Sequence, residues 1–125
     1  MKKGKKPRIN KHPVIVPCDV DLTLIDYKID DKDPRLLIEV GLVPGKEIKV
    51  FPILEHIEAI KNHRASGAYI RIWSGSGYEW AAHIVEKLGL TDYVDEIETK
   101  FKWYLDDVDA TEWAKRLYRY EPYKK

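Results

Sequence analysis

The segment from which the rest of the chain can be interpreted is Val14-Ile15-Val16-Pro17-Cys18-Asp19-Val20-Asp21-Leu22-Thr23-Leu24, where a β-branched apolar run changes abruptly to acids. A short run of this kind predicts a buried strand over residues 14–18. Pro17 cannot donate to a central hydrogen-bond ladder, so we expect it near the strand end or at a bulge. The strand therefore delivers two carboxylates, Asp19 and Asp21, to its carboxyl end.

Two more apolar runs predict strands, and each also ends in polar residues. Residues 68–73 lead into Ser74, and residues 101–105 lead into the Asp106-Asp107 pair. In open α/β sheets, ligands bind beyond the carboxyl ends of the strands. We therefore expect the three polar strand ends to converge on one site.

Helical periodicity separates the predicted strands. The apolar positions after Pro52 predict a helix that ends at Gly67, and a second pattern predicts a helix that ends at Gly89. A shorter pattern predicts a final helix over residues 110–118, with Asp109 as its N-cap. Strands that alternate with helices imply a parallel sheet with helices on both faces. The predicted fold class is thus α/β, with a small doubly wound, Rossmann-like parallel sheet.

A hairpin and the length of the chain complete the predicted architecture. Residues 36–40 and 47–51 flank Pro44-Gly45, a pattern typical of an antiparallel hairpin. The 125 residues, of which 44% are apolar and 34% charged, suit one domain, predicted over residues 13–125. The four tryptophans are spread over separate elements, and we expect them to fill the core.

Composition and charge exclude several classes of protein. No apolar run reaches the ~20 residues that a membrane span needs, so we expect a cytoplasmic protein. The single cysteine, Cys18, excludes a disulfide framework and a zinc site built on several thiolates. Residues 1–12 carry six basic and no acidic residues, a charge of +6 against −5 for the remainder. This arm is interpreted either as a flexible, solubilising tail or as a contact for nucleic acid or another anionic partner.

The predicted site carries the residue types that phosphate chemistry requires. Carboxylates at one edge repel one another, and a divalent cation relieves the repulsion; ligands that are all oxygen favour Mg²⁺. One carboxylate can attack phosphorus while a second protonates the leaving oxygen. Ser74 and Gly75, at a helix start, offer a hydroxyl and N–H groups to phosphate oxygens. A lysine completes the neutralisation of charge, with Lys100 and Lys102 as candidates.

In chain order, these features resemble the motifs of the haloacid dehalogenase-like (HAD) superfamily. The segment Asp19-Val20-Asp21-Leu22-Thr23 resembles the first motif, DxDxT. The apolar run that ends in Ser74 resembles the second motif, and the run that ends in Asp106-Asp107 resembles the fourth. The third motif is a lysine, for which Lys100 has better spacing than Lys102. Leu22 stands where many relatives have glycine.

The resemblance implies a role for each of these residues. Asp19 would be the nucleophile and a Mg²⁺ ligand. Asp21 would be the general acid and base, with its main-chain carbonyl on the metal ion. The remaining residues would bind the phosphoryl group or the metal ion: Ser74, Gly75 and Lys100 the former, Asp106 and Asp107 the latter.

The implied function is that of a Mg²⁺-dependent phosphatase that forms an aspartyl-phosphate. The family's hairpin flap corresponds to residues 24–51, and the short spacing between Thr23 and Ser74 indicates that there is no cap domain. An open, capless site suits a nucleotide or polynucleotide phosphate end first, a sugar or metabolite phosphate second, and a phosphoprotein third. The alternative is a HAD-fold binding protein, weak or inactive in catalysis, that engages nucleic acid or a protein partner through residues 2–11.

Overall fold

The computed structural model describes residues 14–28 and 32–117, so the predicted basic arm lies outside the described residues. The described chain is mixed α/β. Its elements, in chain order, are strands β1 (Ile15–Cys18), β2 (Ile25–Asp26), β3 (Ile38–Val40) and β4 (Ile48–Pro52), helix α1 (Leu54–Ala65), strand β5 (Tyr69–Ser74), helix α2 (Tyr78–Lys87) and strand β6 (Glu96–Thr99). Single 3-10 turns lie at Pro34–Leu36, Thr91–Tyr93 and Ala110–Glu112.

Strands β1, β5 and β6 form a parallel sheet with β5 in the centre. Cys18 at the end of β1 lies opposite Ile72, and Ser74 at the end of β5 lies opposite Thr99. Pro17 is tolerated because β1 pairs on one side only within the described sheet. The parallel sheet, its first two strands and the two helices are therefore confirmed, with strand ends shifted by one residue. The prediction that the first strand is buried is wrong, because Val14, Ile15 and Pro17 are exposed and Cys18 is the one buried residue of β1.

Strands β2, β4 and β3 form a second, antiparallel sheet with β4 in the centre. The pairing of Ile38 with Val50 and of Val40 with Ile48 confirms the predicted hairpin. Gly45 lies in its connection at a φ of 85°, a conformation that glycine adopts without steric cost. The N–H of Ile53 donates to the Leu24 carbonyl at 2.9 Å, which ties the start of α1 to the chain that enters β2.

One cluster of buried apolar side chains joins both sheets and both helices, and burial of this kind is the main favourable term in folding. It includes Val20, Leu24, Val40, Val50, Ile57, Ile60, Ile70, Ile72 and Ile84. Along β5, alternate residues Ile70 and Ile72 are buried, whereas Arg71 and Trp73 are half-buried. One face of the parallel sheet is thus covered more completely than the other, and the doubly wound arrangement stays a prediction.

The prediction of a strand over residues 101–105 is wrong. The third parallel strand is β6, which comes directly before this segment and has the sequence Glu96-Ile97-Glu98-Thr99. Because two of its four residues are glutamates, the sequence does not indicate a strand here. In the sheet both glutamates form ion pairs with Arg71, whose Nε lies 2.7 Å from Glu96 Oε1 and 2.8 Å from Glu98 Oε1.

The predicted helix over residues 110–118 forms only its first turn, Ala110–Glu112, and residue 118 lies outside the described residues. The predicted N-cap is confirmed, because the Asp109 side chain accepts the Thr111 N–H in a complete capping box. Beyond it, Trp113 is 58% exposed and offers no packed apolar face. A short helix without such packing is only marginally stable in water. Trp103, which is 88% exposed, and Trp113 therefore contradict the expectation that all four tryptophans fill the core.

Candidate functional site

A tight loop after β1 carries Asp19 and Asp21. The Val20 carbonyl accepts the N–H groups of Thr23 and Leu24, at 3.2 and 2.8 Å. Val20 and Leu24 are completely buried, so they anchor the loop while the two acids remain half-buried. The carboxylates are therefore held at the carboxyl end of the sheet without being removed from water.

The loop contains a backbone feature that bears on the motif. Leu22 has a φ of 62°, and it is the one non-glycine residue with positive φ in the described chain. This left-handed region costs an L-residue steric strain, which glycine avoids. The motif that the segment resembles often has glycine at the position of Leu22, and glycine would adopt this φ without strain.

Strand β5 ends at Ser74, which is completely buried and begins the turn into α2. Its Oγ accepts the Ser76 N–H at 3.0 Å, and its carbonyl accepts the Gly77 N–H at 3.1 Å. The Ser74 hydroxyl retains its own hydrogen for donation, because an accepted bond leaves the O–H free to rotate. Gly75 is exposed, and a methyl group added to it would meet no other atom within 4 Å. Space alone therefore does not require glycine at this position.

Lys100 follows β6 and lies beside Ser74 through the backbone. Its N–H donates to the Ser74 carbonyl at 2.9 Å, while its side chain is exposed. Thr99 Oγ1 accepts the Tyr78 N–H at 2.9 Å and so links the end of β6 to the start of α2. Lys102 is exposed two residues further on. The structure thus brings the ends of three parallel strands together at the Asp19–Asp21 loop, at Ser74 and at Lys100.

The Asp21 carboxylate receives hydrogen bonds from three side chains that the sequence interpretation did not assign to the site. Tyr27 Oη and Trp80 Nε1 both donate to Oδ1, the latter at 3.1 Å. Ser76 Oγ donates to Oδ2 at 3.4 Å. Burial, then the hydrogen bond and charge of Asp21, raise the pKa of Tyr27, which keeps its phenol protonated as a donor.

Part of this arrangement was detectable in the sequence. Ser76 and Trp80 lie within six residues of Ser74, where the first turn of a helix faces the carboxyl end of the preceding strand. Trp80 was expected in the core, and it does pack against the core cluster while its indole N–H reaches Asp21. No comparable signal marks Tyr27.

Asp106 and Asp107 lie on an exposed segment and are not brought to the other acids. The Val108 N–H donates to Asp106 Oδ1 at 3.2 Å, and this bond, together with the Asp107 side chain, lowers the pKa of Asp106. Within residues 14–28 and 32–117, no three acidic, histidine or cysteine side chains cluster so that they could hold a metal ion. The reason is the misplaced strand: because residues 101–105 are not part of the sheet, the acidic pair does not follow a strand end.

The donors that do lie at the edge are of the kind that Mg²⁺ prefers. Asp19 would supply a carboxylate and Asp21 the main-chain carbonyl that the resemblance implies, both hard oxygen ligands. Mg²⁺ commonly takes only one or two carboxylates and completes its shell with water and substrate phosphate. The chemistry of these two donors therefore fits Mg²⁺, while Asp106 and Asp107 contribute nothing to it in this conformation.

Two other features lie near the edge but outside the proposed chemistry. Cys18 is buried, and burial followed by the charge of Asp19 raises the pKa of its thiol to about 12, so it is not a thiolate nucleophile. A groove of about 450 Å³ between α2 and β6 is lined by Tyr78, Val85 and Ile97 among others. None of the predicted site residues lines this groove.

Comparisons with known proteins add no assignment to this geometry. No protein-family model matches the chain, and neither does any curated protein or any solved structure. Neither of the helices in the described chain is long and apolar enough to cross a membrane. These comparisons therefore assign no family to the chain.

Proposed function

We propose that this protein is a phosphoester hydrolase of the HAD type that acts through an aspartyl-phosphate. One observation carries the proposal: three adjacent parallel strands end, at the same edge, in the Asp19–Asp21 loop, Ser74 and Lys100. A carboxylate nucleophile, a hydroxyl donor and a cation are the groups that phosphoryl transfer requires. Their arrival from three separate elements is harder to attribute to chance than any one of them.

The proposed reaction has two steps. In the first, an Asp19 carboxylate oxygen attacks phosphorus, the bond to the ester oxygen breaks, and Asp21 gives that oxygen a proton. In the second, Asp21 takes a proton from water, which attacks phosphorus and breaks its bond to Asp19. Inorganic phosphate leaves, and both aspartates return to their starting state. Lys100, whose side chain is exposed, stabilises the negative charge on the phosphoryl oxygens throughout, and the buried Ser74 hydroxyl does so once the substrate opens access to it.

The proposal includes a resident Mg²⁺ ion. Asp19 and the Asp21 carbonyl would hold it, and the ion would neutralise phosphate charge so that an anionic nucleophile can approach. Asp106 and Asp107 are the further ligands that the resemblance implies. Their contribution requires the segment after Lys100 to approach the edge.

The architecture and substrate belong to the same proposal. We propose that the antiparallel sheet β2-β4-β3 is the flap of a capless, doubly wound HAD domain. Tyr27, directly after β2, supports this because its hydroxyl reaches Asp21. The substrate would carry an accessible phosphate, with nucleotide and polynucleotide ends first, since residues 1–12 supply a basic arm.

The test measures phosphate release from an aryl phosphate in the presence of Mg²⁺. EDTA and the variant Asp19→Asn are each expected to reduce the rate at least about 1,000-fold, as removal of a nucleophile does. Asp92→Asn, an exposed acid in the Thr91–Tyr93 turn, is the matched control and should leave the rate unchanged. Retained activity in Asp19→Asn would overturn the covalent mechanism.

A panel of phosphoesters then separates the substrate classes. Nucleotide and polynucleotide ends, sugar phosphates and a phosphopeptide are compared as competitors of the aryl ester. Lack of competition by nucleic acid would overturn the first substrate choice. Salt-sensitive binding of nucleic acid, without phosphate release from any ester, would favour the alternative of a binding protein.

A further inference from the structure

The hydrogen bonds to Asp21 are distributed unevenly between its two oxygens. Oδ1 accepts both Tyr27 Oη and Trp80 Nε1, the latter at 3.1 Å. Among the described residues, Oδ2 accepts a hydrogen bond from Ser76 Oγ alone, at the longer distance of 3.4 Å. One oxygen is thus firmly held, and the other faces the turn that Ser74 begins.

The two donors to Oδ1 are neutral side chains, and one of them is packed against the core. Trp80 packs against the core cluster, which fixes its ring, whereas Tyr27 is 41% exposed and is held by its place after β2 and by its hydrogen bond to Asp21. A phenol and an indole N–H bind a carboxylate without supplying a counter-charge, unlike lysine or arginine. Such donors orient the carboxylate without placing a positive charge beside it, so that it can still take up and release a proton.

We propose that Tyr27 and Trp80 are positioning residues that lock Oδ1 of Asp21 and thereby present Oδ2 as the proton-carrying oxygen. This inference rests on the proposed function, because it assigns the proton transfer to one atom of the proposed acid and base. In the first step, Oδ2 gives its proton to the departing ester oxygen. In the second step, Oδ2 takes a proton from the attacking water, which restores the starting state.

The inference has a chemical consequence that structural support alone does not have. An alkyl alcohol is a poor leaving group and needs a proton from Asp21, whereas dinitrophenol departs readily as an anion. Loss of orientation should therefore slow the alkyl ester and spare the dinitrophenyl ester. General damage to the fold would slow both esters equally.

The experiment compares kcat/KM for an alkyl phosphate and for 2,4-dinitrophenyl phosphate, since kcat/KM reports the steps up to departure of the alcohol. Tyr27→Phe and Trp80→Phe should each lose about 10- to 100-fold on the alkyl ester. On the dinitrophenyl ester, the loss should stay below about 3-fold. The matched controls are Tyr93→Phe and Trp113→Phe, which should retain wild-type values on both esters.

Tyr27→Phe is the primary variant, because it keeps the ring and removes one hydroxyl. Circular dichroism and the thermal midpoint show whether Trp80→Phe remains folded at the assay temperature. Equal losses on both esters, or no loss on either, would overturn the positioning role while leaving the phosphatase standing. A wild-type protein that hydrolyses neither ester would instead overturn the proposed function and the positioning role together.

Discussion

The ion pairs of Arg71 provide a direct test of why β6 forms from so acidic a sequence. Arg71 Nε contacts Glu96 Oε1 at 2.7 Å and Glu98 Oε1 at 2.8 Å. Residues two apart share a face of a strand, so the two glutamates are neighbours and repel each other. We expect Arg71→Met to destabilise the protein by exposing this repulsion as well as by removing the two attractions.

The magnitude follows from exposure and geometry. The Arg71 side chain is 27% exposed, and those of Glu96 and Glu98 are 36% and 39% exposed. Ion pairs of such exposure contribute ~0.2–1 kcal/mol each, so Arg71→Met should cost about 1–2 kcal/mol in the free energy of unfolding. Methionine retains most of the apolar stem, which limits the loss of packing. In a Glu96→Gln/Glu98→Gln background, the same change should cost below about 0.5 kcal/mol, a coupling of about 1 kcal/mol.

Urea unfolding of the four proteins in this cycle, followed by tryptophan fluorescence, measures the coupling. It should shrink at 1 M salt, where the Debye length is about 3 Å. Arg35→Met is the matched control. It removes an ion pair of 2.8 Å to Asp33, but the Arg35 side chain is 89% exposed, so the free energy of unfolding should change less than in Arg71→Met. If Arg71→Met lowers the free energy of unfolding equally in both backgrounds, the ion pairs with the two glutamates are not the reason that β6 can form.

Three further outcomes follow from the backbone, from burial and from charge. Leu22→Gly should be about 1 kcal/mol more stable than Leu22→Ala in urea unfolding, because the φ of 62° strains any side chain; equal stabilities would contradict this. The Cys18 thiol keeps its proton in the folded state up to a pKa of about 12, against 9.0 unfolded, so stability should fall as pH rises through this interval. Relative to Cys18→Ala, the fall should approach about 1.4 kcal/mol per pH unit, and parallel pH profiles of the unfolding free energy would refute it. Asp95→Ala should cost about 3–5 kcal/mol in urea unfolding because it leaves the buried Arg64, 3.7 Å away, without its carboxylate, and a loss below about 1 kcal/mol would contradict the pairing.

The parts of the fold that were predictable are those with strong local signals and a buried partner. The β-branched run of β1 favours a strand by its propensity, and the alternation of β5 favours one because every second side chain is buried. Both helices end where predicted because Gly67 and Gly89 adopt φ values of 95° and 68°, which glycine tolerates. Strand β6 was not predictable from its own composition, because its glutamates are acceptable only beside Arg71, 25 and 27 positions earlier.

The candidate site also has a part that was predictable from the sequence and a part that was not. Asp19 and Ser74 follow strands that the sequence specifies, so their approach to one edge was foreseeable from the parallel order. Ser76 and Trp80 were detectable as residues near the end of β5, but their bonds to Asp21 were not, because a tryptophan 59 positions away reaches Asp21 only through the docking of α2. Local patterns thus identify reactive groups, while the groups that orient them depend on tertiary packing.

The segment after β6 shows what a local signal cannot achieve alone. The capping box at Asp109 forms, and the Ala114 N–H reaches the Ala110 carbonyl at 2.9 Å, yet no longer helix follows. At the start of the segment, the Phe101 ring makes an edge-to-face contact with Trp73, with ring centroids 5.0 Å apart. Caps and turns need only neighbouring atoms, whereas a helix or strand of this length needs a buried face. Asp106 and Asp107 lie between the Phe101 contact and the capping box, where the described chain has no strand or helix that would hold the acidic pair beside Asp19.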